Sequence, residues 1–189
     1  YVSGSIFEHC RVEYGGSYSN TAVVNGAPYI NSCTFRYNQV TAVGAARVTN
    51  STFTQNAGAA ISSGNATITG NTITYNSSIG GSYAINIGGG TISNHTISHN
   101  GSSGSFSQPT EGVTVTITKN TITDKSGNGI TISASASDFP NPTVTISGNT
   151  ILNNSEVGLA FIDGDQHLTA SVSDNTIANS GSEEILIDV

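Results

Sequence analysis

The chain of 189 residues reads as an all-β solenoid, a stack of about eight coils with three short strands in each. Three observations predict this. An apolar residue is followed five positions later by another at Phe7/Val12, Ile30/Phe35, Val48/Phe53, Ile68/Ile73, Ile92/Ile97, Ile117/Ile122, Ile146/Ile151 and Val172/Ile177. A Thr precedes the second apolar residue in seven of these eight units. Successive units stand 18 to 29 residues apart, the spacing of solenoid repeats rather than of separate domains.

The strands come first. Segments 67–74 (TITGNTIT) and 114–123 (TVTITKNTIT) alternate apolar and hydroxyl residues with period two, and no stretch offers apolar positions at helical spacing between caps. Each unit therefore supplies two strands around a bend. A third is expected eight residues after the unit's last apolar position, where Val43, Ile61, Ile130, Leu159 and Ile185 stand. One coil cannot bury its apolar residues alone, but stacking at about 4.8 Å sets like residues on like. Val12, Phe35, Phe53, Ile73, Ile97, Ile122, Ile151 and Ile177 then form an inward ladder. The bend ladder is Cys10, Cys33, Ser51, Asn71, His95, Asn120, Asn149 and Asn175. Asn there is expected to take left-handed backbone and to bond the equivalent residue of the next coil. Thr34, Thr52, Thr72, Thr96, Thr121, Thr150 and Thr176 form an outward row. Longer excursions are expected at about 99–113, 133–143 and 162–170.

Such coils, with an Asn-bearing bend and variable loops, resemble the right-handed parallel β-helix of the pectate-lyase-like superfamily, over essentially the whole chain. The expected organisation is one domain over 1–189, excised from or stacked into a longer solenoid. The resemblance also implies polysaccharide cleavage in a groove along one sheet, by carboxylates with Ca²⁺ and a basic residue or by carboxylate pairs. Only Lys119, Lys125 and Asp124 approach such a grouping, and no second acid accompanies Asp124 in its column.

Composition narrows the partners. Ser (27), Thr (24), Asn (20) and Gly (22) make up 93 positions, and charged residues only 9%. No carboxylate lies between Glu13 and Glu111, whereas residues 111–189 hold ten carboxylates against two Lys. Five Lys and Arg in all argue against nucleic acid as a partner. No apolar run reaches the 18 or so residues of a membrane-spanning helix.

The candidate sites are few. Cys10 and Cys33 occupy one bend position on successive coils, within reach of a disulfide or as an unbonded pair. Asn50, Asn65, Asn76, Asn94, Asn100 and Asn153 begin Asn-x-Ser/Thr glycosylation sequons. Asp163, Asp165 and His167 form the densest reactive cluster, and with Asp138 and Asp188 offer an acidic patch for Ca²⁺ or sugar, set against solvated turn residues. Asp124, Lys125, Asp163, Asp165 and His167 are the weak catalytic candidates; no resident cofactor or metal is expected otherwise. Tyr14, Tyr37 and Tyr75 share a corner column, stacked on sugars or on each other.

The expectation is thus an extracellular structural protein, a subunit of a surface filament, stalk or adhesin assembling with copies of itself head-to-tail. An acidic last coil with Glu183, Glu184 and Asp188 would meet Arg11 of the next copy. A carbohydrate-binding or polysaccharide-degrading β-helix is the alternative. Third is an ice-binding protein using Thr67-Ile68-Thr69, Thr72-Ile73-Thr74, Thr116-Ile117-Thr118 and Thr121-Ile122-Thr123, arrays interrupted by Ser93, Ser98, Ser147, Ser171 and Leu152.

Overall fold

The structure is a computed structural model that describes residues 4–16, 22–76, 83–101, 113–134, 142–163 and 168–188. In chain order the strands are β1 (Ile6–Glu8), β2 (Arg11–Glu13), β3 (Tyr29–Asn31), β4 (Thr34–Arg36), β5 (Arg47–Thr49), β6 (Thr52–Thr54), β7 (Ile61–Thr69), β8 (Thr72–Thr74) and β9 (Ile85–Ser93). There follow β10 (Thr96–Ser98), β11 (Thr114–Thr118), β12 (Thr121–Thr123), β13 (Ile130–Ala134), β14 (Thr143–Ser147), β15 (Thr150–Leu152), β16 (Leu159–Asp163), β17 (Thr169–Ser173), β18 (Thr176–Ala178) and β19 (Ile185–Asp188). No helix occurs among the described residues.

Each repeat contributes one strand to each of two eight-stranded sheets, ordered β1-β3-β5-β7-β9-β11-β14-β17 and β2-β4-β6-β8-β10-β12-β15-β18. The pairing is parallel throughout, because the chain returns to a given side only after a full turn of the solenoid. The third side carries the three-stranded sheet β13-β16-β19. Toward the first coils it continues as the bridges Val24–Val43 and Val43–Ile61 and the pair Ile61–Ile85. The third strand expected of every coil is thus a full sheet only at β13, β16 and β19. Much of each expected long excursion, at 99–113, 133–143 and 162–170, lies outside the described residues.

Register follows the apolar ladder. Val12 pairs with Phe35, Phe35 with Phe53, Phe53 with Ile73, and the series runs through Ile97, Ile122 and Ile151 to Ile177. Ile30, Val48, Ile68, Ile92, Ile117 and Ile146 form the matching column of the first sheet, and Val43, Ile61, Ile85, Ile130 and Leu159 that of the third side; all are buried. Three inward columns fill a narrow interior, with the rings of Phe35 and Phe53 stacked at 5.0 Å. A slip of one residue would turn every inward Ile outward, so the alternation itself sets the register.

One glycine is required by close approach. Gly90 has φ +104°, and a Cβ there would lie 2.0 Å from the Ala66 carbonyl oxygen, where β9 bends from the third side onto the first against β7.

Replacing Phe53 by Ala removes a ring that packs on Phe35 and Ile73. Chemical denaturation should show a loss of about 3–5 kcal/mol; a loss under about 1 kcal/mol would mean that the interior is not the packed stack described.

Candidate functional site

The two corners that flank the second sheet hold the polar interior. At the first, between the two eight-stranded sheets, one residue takes left-handed backbone: His9, Ser32, Asn50, Gly70, Asn94, Lys119, Gly148 or Asp174, with φ from 49° to 67°. The ladder residue comes next. This corrects the expectation that the ladder Asn itself is left-handed. The residue before it makes the reversal, which leaves the ladder side chain turned inward and bonded along the stack. The N–H of each ladder residue donates to the side chain one coil on: Cys10 to Cys33 Sγ (3.4 Å), Cys33 to Ser51 (3.0 Å), Ser51 to Asn71 (2.8 Å), Asn71 to His95 Nδ1 (3.0 Å), His95 to Asn120 (3.0 Å), Asn120 to Asn149 (2.9 Å) and Asn149 to Asn175 (2.9 Å).

A second ladder stands at the other corner. The column Tyr14, Tyr37, Gln55, Tyr75, His99, Asp124, Asn153 and Asn179 takes φ of 54° to 58°. Gly15, Asn38, Asn56, Asn76, Asn100, Lys125, Asn154 and Ser180 follow it. Gly15 N–H donates to Asn38 (2.9 Å), Asn38 to Asn56 (3.1 Å), Asn56 to Asn76 (3.1 Å) and Asn76 to Asn100 (2.8 Å). The carboxamide nitrogens of Asn56, Asn76 and Asn100 donate to the Phe35, Phe53 and Ile73 carbonyls of the coil before. Sequence reasoning missed this ladder, although its signal was an Asn three residues after the unit's second apolar residue at 38, 56, 76, 100 and 154.

Besides the thiols of Cys10 and Cys33, two titratable residues replace Asn in these ladders. His95 is 2% exposed; Nδ1 accepts the Asn71 N–H, and Nε2, 3.1 Å from the Ile68 carbonyl oxygen, carries the proton. Burial lowers its pKa to about 4, against the smaller opposing effect of its contacts with the Ile68 and Asn71 carbonyls. Lys125 is 1% exposed, and burial lowers its pKa to about 7, against the opposing attraction of Glu156. An amine has no oxygen to offer Asn100. One coil on, Asn154 accepts the Lys125 N–H at 3.3 Å, while its buried Nδ2 has no hydrogen-bond partner.

The outer faces of the two eight-stranded sheets carry rows of hydroxyls. On the second sheet Thr52/Thr54, Thr72/Thr74, Thr96/Ser98 and Thr121/Thr123 pair in register across four strands. On the first, Thr67/Thr69, Thr91/Ser93, Thr116/Thr118 and Thr145/Ser147 do the same. The corner rings stack on each other, Tyr14 on Tyr37 at 5.3 Å and Tyr75 on His99 at 4.8 Å, which turns their faces together and their edges to solvent. Arg36 and Arg11 both bind the Glu13 carboxylate. An open groove of about 500 Å³, lined by Ala22, Asn25, Gly26, Gly44, Ser62, Gly64 and neighbours, carries no titratable side chain.

The remaining candidates are scattered. Cys10 and Cys33 are free thiols whose Sγ atoms donate to the Glu8 and Phe7 carbonyls, and burial raises the Cys33 pKa. Of the sequons, Asn50, Asn65, Asn94 and Asn153 are exposed. Asn76 and Asn100, each 2% exposed and bonded within the second ladder, are closed to a glycan in the folded chain. Asp124 sits exposed on its corner beside Asn153, next to the buried Lys125 rather than grouped with it and Lys119, which lies at the opposite corner. Asp188 is exposed in β19. Asp163 ends β16, paired with Ala134; its side chain, and the whole of Asp138, Asp165 and His167, lie outside the described residues. Among the described residues no three His, Cys, Asp or Glu side chains converge as metal ligands.

Parallel strands wound into a three-sided solenoid, with side-chain ladders at its corners, define a β-helix repeat protein. The model of the family described as "right handed beta helix region" matches residues 30–177, and the chain belongs to that family. No curated protein and no solved structure matches the chain. No helix among the described residues is long and apolar enough to cross a membrane.

Lys125→Asn would restore a carboxamide oxygen between Asn100 and Asn154 and remove a buried amine. At pH 7 it should stabilise the fold by about 2 kcal/mol, a rise of roughly 4–8 °C in Tm. Because the folded pKa of Lys125 lies below its ordinary value of 10.5, the unfolded chain binds more protons between them. Wild-type stability should therefore increase as pH rises from 7 toward 10.5, and the variant should lose that slope. A lower Tm in the variant with the slope retained would reject this account.

Proposed function

We propose that the chain is an extracellular structural β-helix, a subunit of a surface filament, stalk or adhesin that works by stacking and display rather than by catalysis. The observation that carries this reading is continuity. The inward column from Val12 to Ile177 and the first corner ladder from Cys10 to Asn175 run through every strand of the second sheet, so each coil is held to the next from one end of that sheet to the other. Such one-dimensional coupling favours a stiff rod. The contact that joins coil to coil within the chain is also one that can join copies, since an open parallel edge recruits another strand and a head-to-tail contact need not close.

A second reading is favoured by the register of the outer hydroxyls. Four strands of each sheet set pairs of Thr and Ser in two uncharged rows, repeating at about 4.8 Å between coils. A regular, charge-free hydroxyl surface suits an equally regular lattice of neutral hydroxyls, and ice is the simplest such lattice.

Electron microscopy of purified protein at high concentration should show rods that lengthen by end-to-end addition. Dispersed particles of single-chain size at every concentration would reject the assembling form. For the second reading, ice growth in the presence of the protein should slow and the crystals should become faceted, and Thr96→Tyr should abolish both effects without changing Tm. Ordinary ice growth with wild-type protein removes that reading; retention on neutral crystalline polysaccharide instead would transfer the hydroxyl rows to a carbohydrate partner.

A further inference from the structure

From Ser51 to Asn175 the first corner ladder has one titrating rung. The other rungs of that stretch are built from groups that keep their hydrogen-bonding character across the acid range: the Ser51 hydroxyl and the carboxamides of Asn71, Asn120, Asn149 and Asn175. At His95 the rung works only while Nδ1 is bare. Asn71 N–H donates to it at 3.0 Å, and Nε2–H is already committed to the Ile68 carbonyl at 3.1 Å. A proton on Nδ1 would set one donor against another at that distance. The nearest alternative acceptor, the Asn71 carbonyl oxygen, lies 3.4 Å away, at the limit of a hydrogen bond.

We infer that the joint between β8 and β10 is an acid-sensitive opening point of the solenoid, at which protonation of His95 breaks the corner ladder while the carboxamide rungs on either side hold. Among the described residues no neighbouring charge counters this. From the ladder Asn71 meets the ring and Asn120 accepts the His95 N–H, the Ile68 carbonyl meets the ring from the strand below, and none of these titrates. Lys119, beside Asn120 on the exposed corner, is a cation that does not favour a second one. His99 belongs to the opposite corner, stacked on Tyr75. The Arg11–Glu13–Arg36 cluster belongs to the first coils, away from this joint.

The sign follows from linkage. His95 has a folded pKa of about 4 against 6.5 when free, so its contribution to stability is complete above pH 6.5 and is lost as pH falls toward 4. The equilibrium constant for opening at this joint should rise by up to about tenfold per pH unit across that window.

Hydrogen exchange read by mass spectrometry on the full chain tests this, at several pH values between 7.5 and 4 and corrected for intrinsic exchange rates. In wild type, protection of Thr72–Thr74 and Thr96–Ser98 should fall with acid far more than that of Thr150–Leu152. In His95→Asn, which supplies the ladder's own residue, that excess loss should vanish. A uniform loss along the rod, or a localised loss that persists in His95→Asn, overturns the inference. So does an NMR titration in which wild-type His95 protonates near pH 6.5. Neither outcome depends on whether the chain assembles or binds ice.

Discussion

A parallel solenoid must turn corners without stranding backbone polar groups, and the fold depends on how the two corners flanking the second sheet meet that demand. A buried N–H with no acceptor costs on the order of 1–3 kcal/mol, and a stack of coils would repeat that cost at every turn. Here the side chain of one coil accepts the N–H of the coil before it, which satisfies the corner backbone at nearly every rung. A short side chain with an oxygen is needed at this place, and left-handed backbone just before it. These two requirements explain why Asn is so abundant in a chain that still has an apolar core.

The ladders also show where the molecule departs from its own rule. Amides give and accept in the same orientation at every coil, which makes them interchangeable. His95 meets the geometric requirement in one protonation state only, and Lys125 meets half of it. Both lie on consecutive coils, and both are buried with their pKa values lowered by that burial. Local rule-breaking of this kind is where function or regulation tends to reside in an otherwise uniform scaffold. It gives a charge-poor rod a specific sensitivity to pH, in addition to whatever its outer surface presents.

That outer surface follows from the same register. The alternation that turns Ile inward turns Thr outward, so the hydroxyl rows accompany a correctly stacked core whether or not a ligand uses them. Exposed Thr is favoured by any half-buried strand. The corner aromatics, stacked on each other, contribute to cohesion along the stack.

By itself the sequence determined the repeat, the three-sided solenoid, the inward column from Val12 to Ile177 and the first corner ladder, because each depends on a residue type recurring at a set offset and parallel stacking converts that offset directly into contact. The second ladder was equally present in the text, at Asn38, Asn56, Asn76, Asn100 and Asn154, but three residues past an apolar position reads as loop until the corner is seen to close on itself. Only the tertiary structure decided that left-handed backbone falls one residue before the ladder, that Asn76 and Asn100 are interior amides rather than glycan acceptors, and that Lys125 is buried while its neighbour Asp124 faces solvent. Those outcomes turn on which way a side chain points at a corner. That direction is set by φ at the preceding residue together with the acceptor waiting one coil away, and the acceptor is not local in sequence.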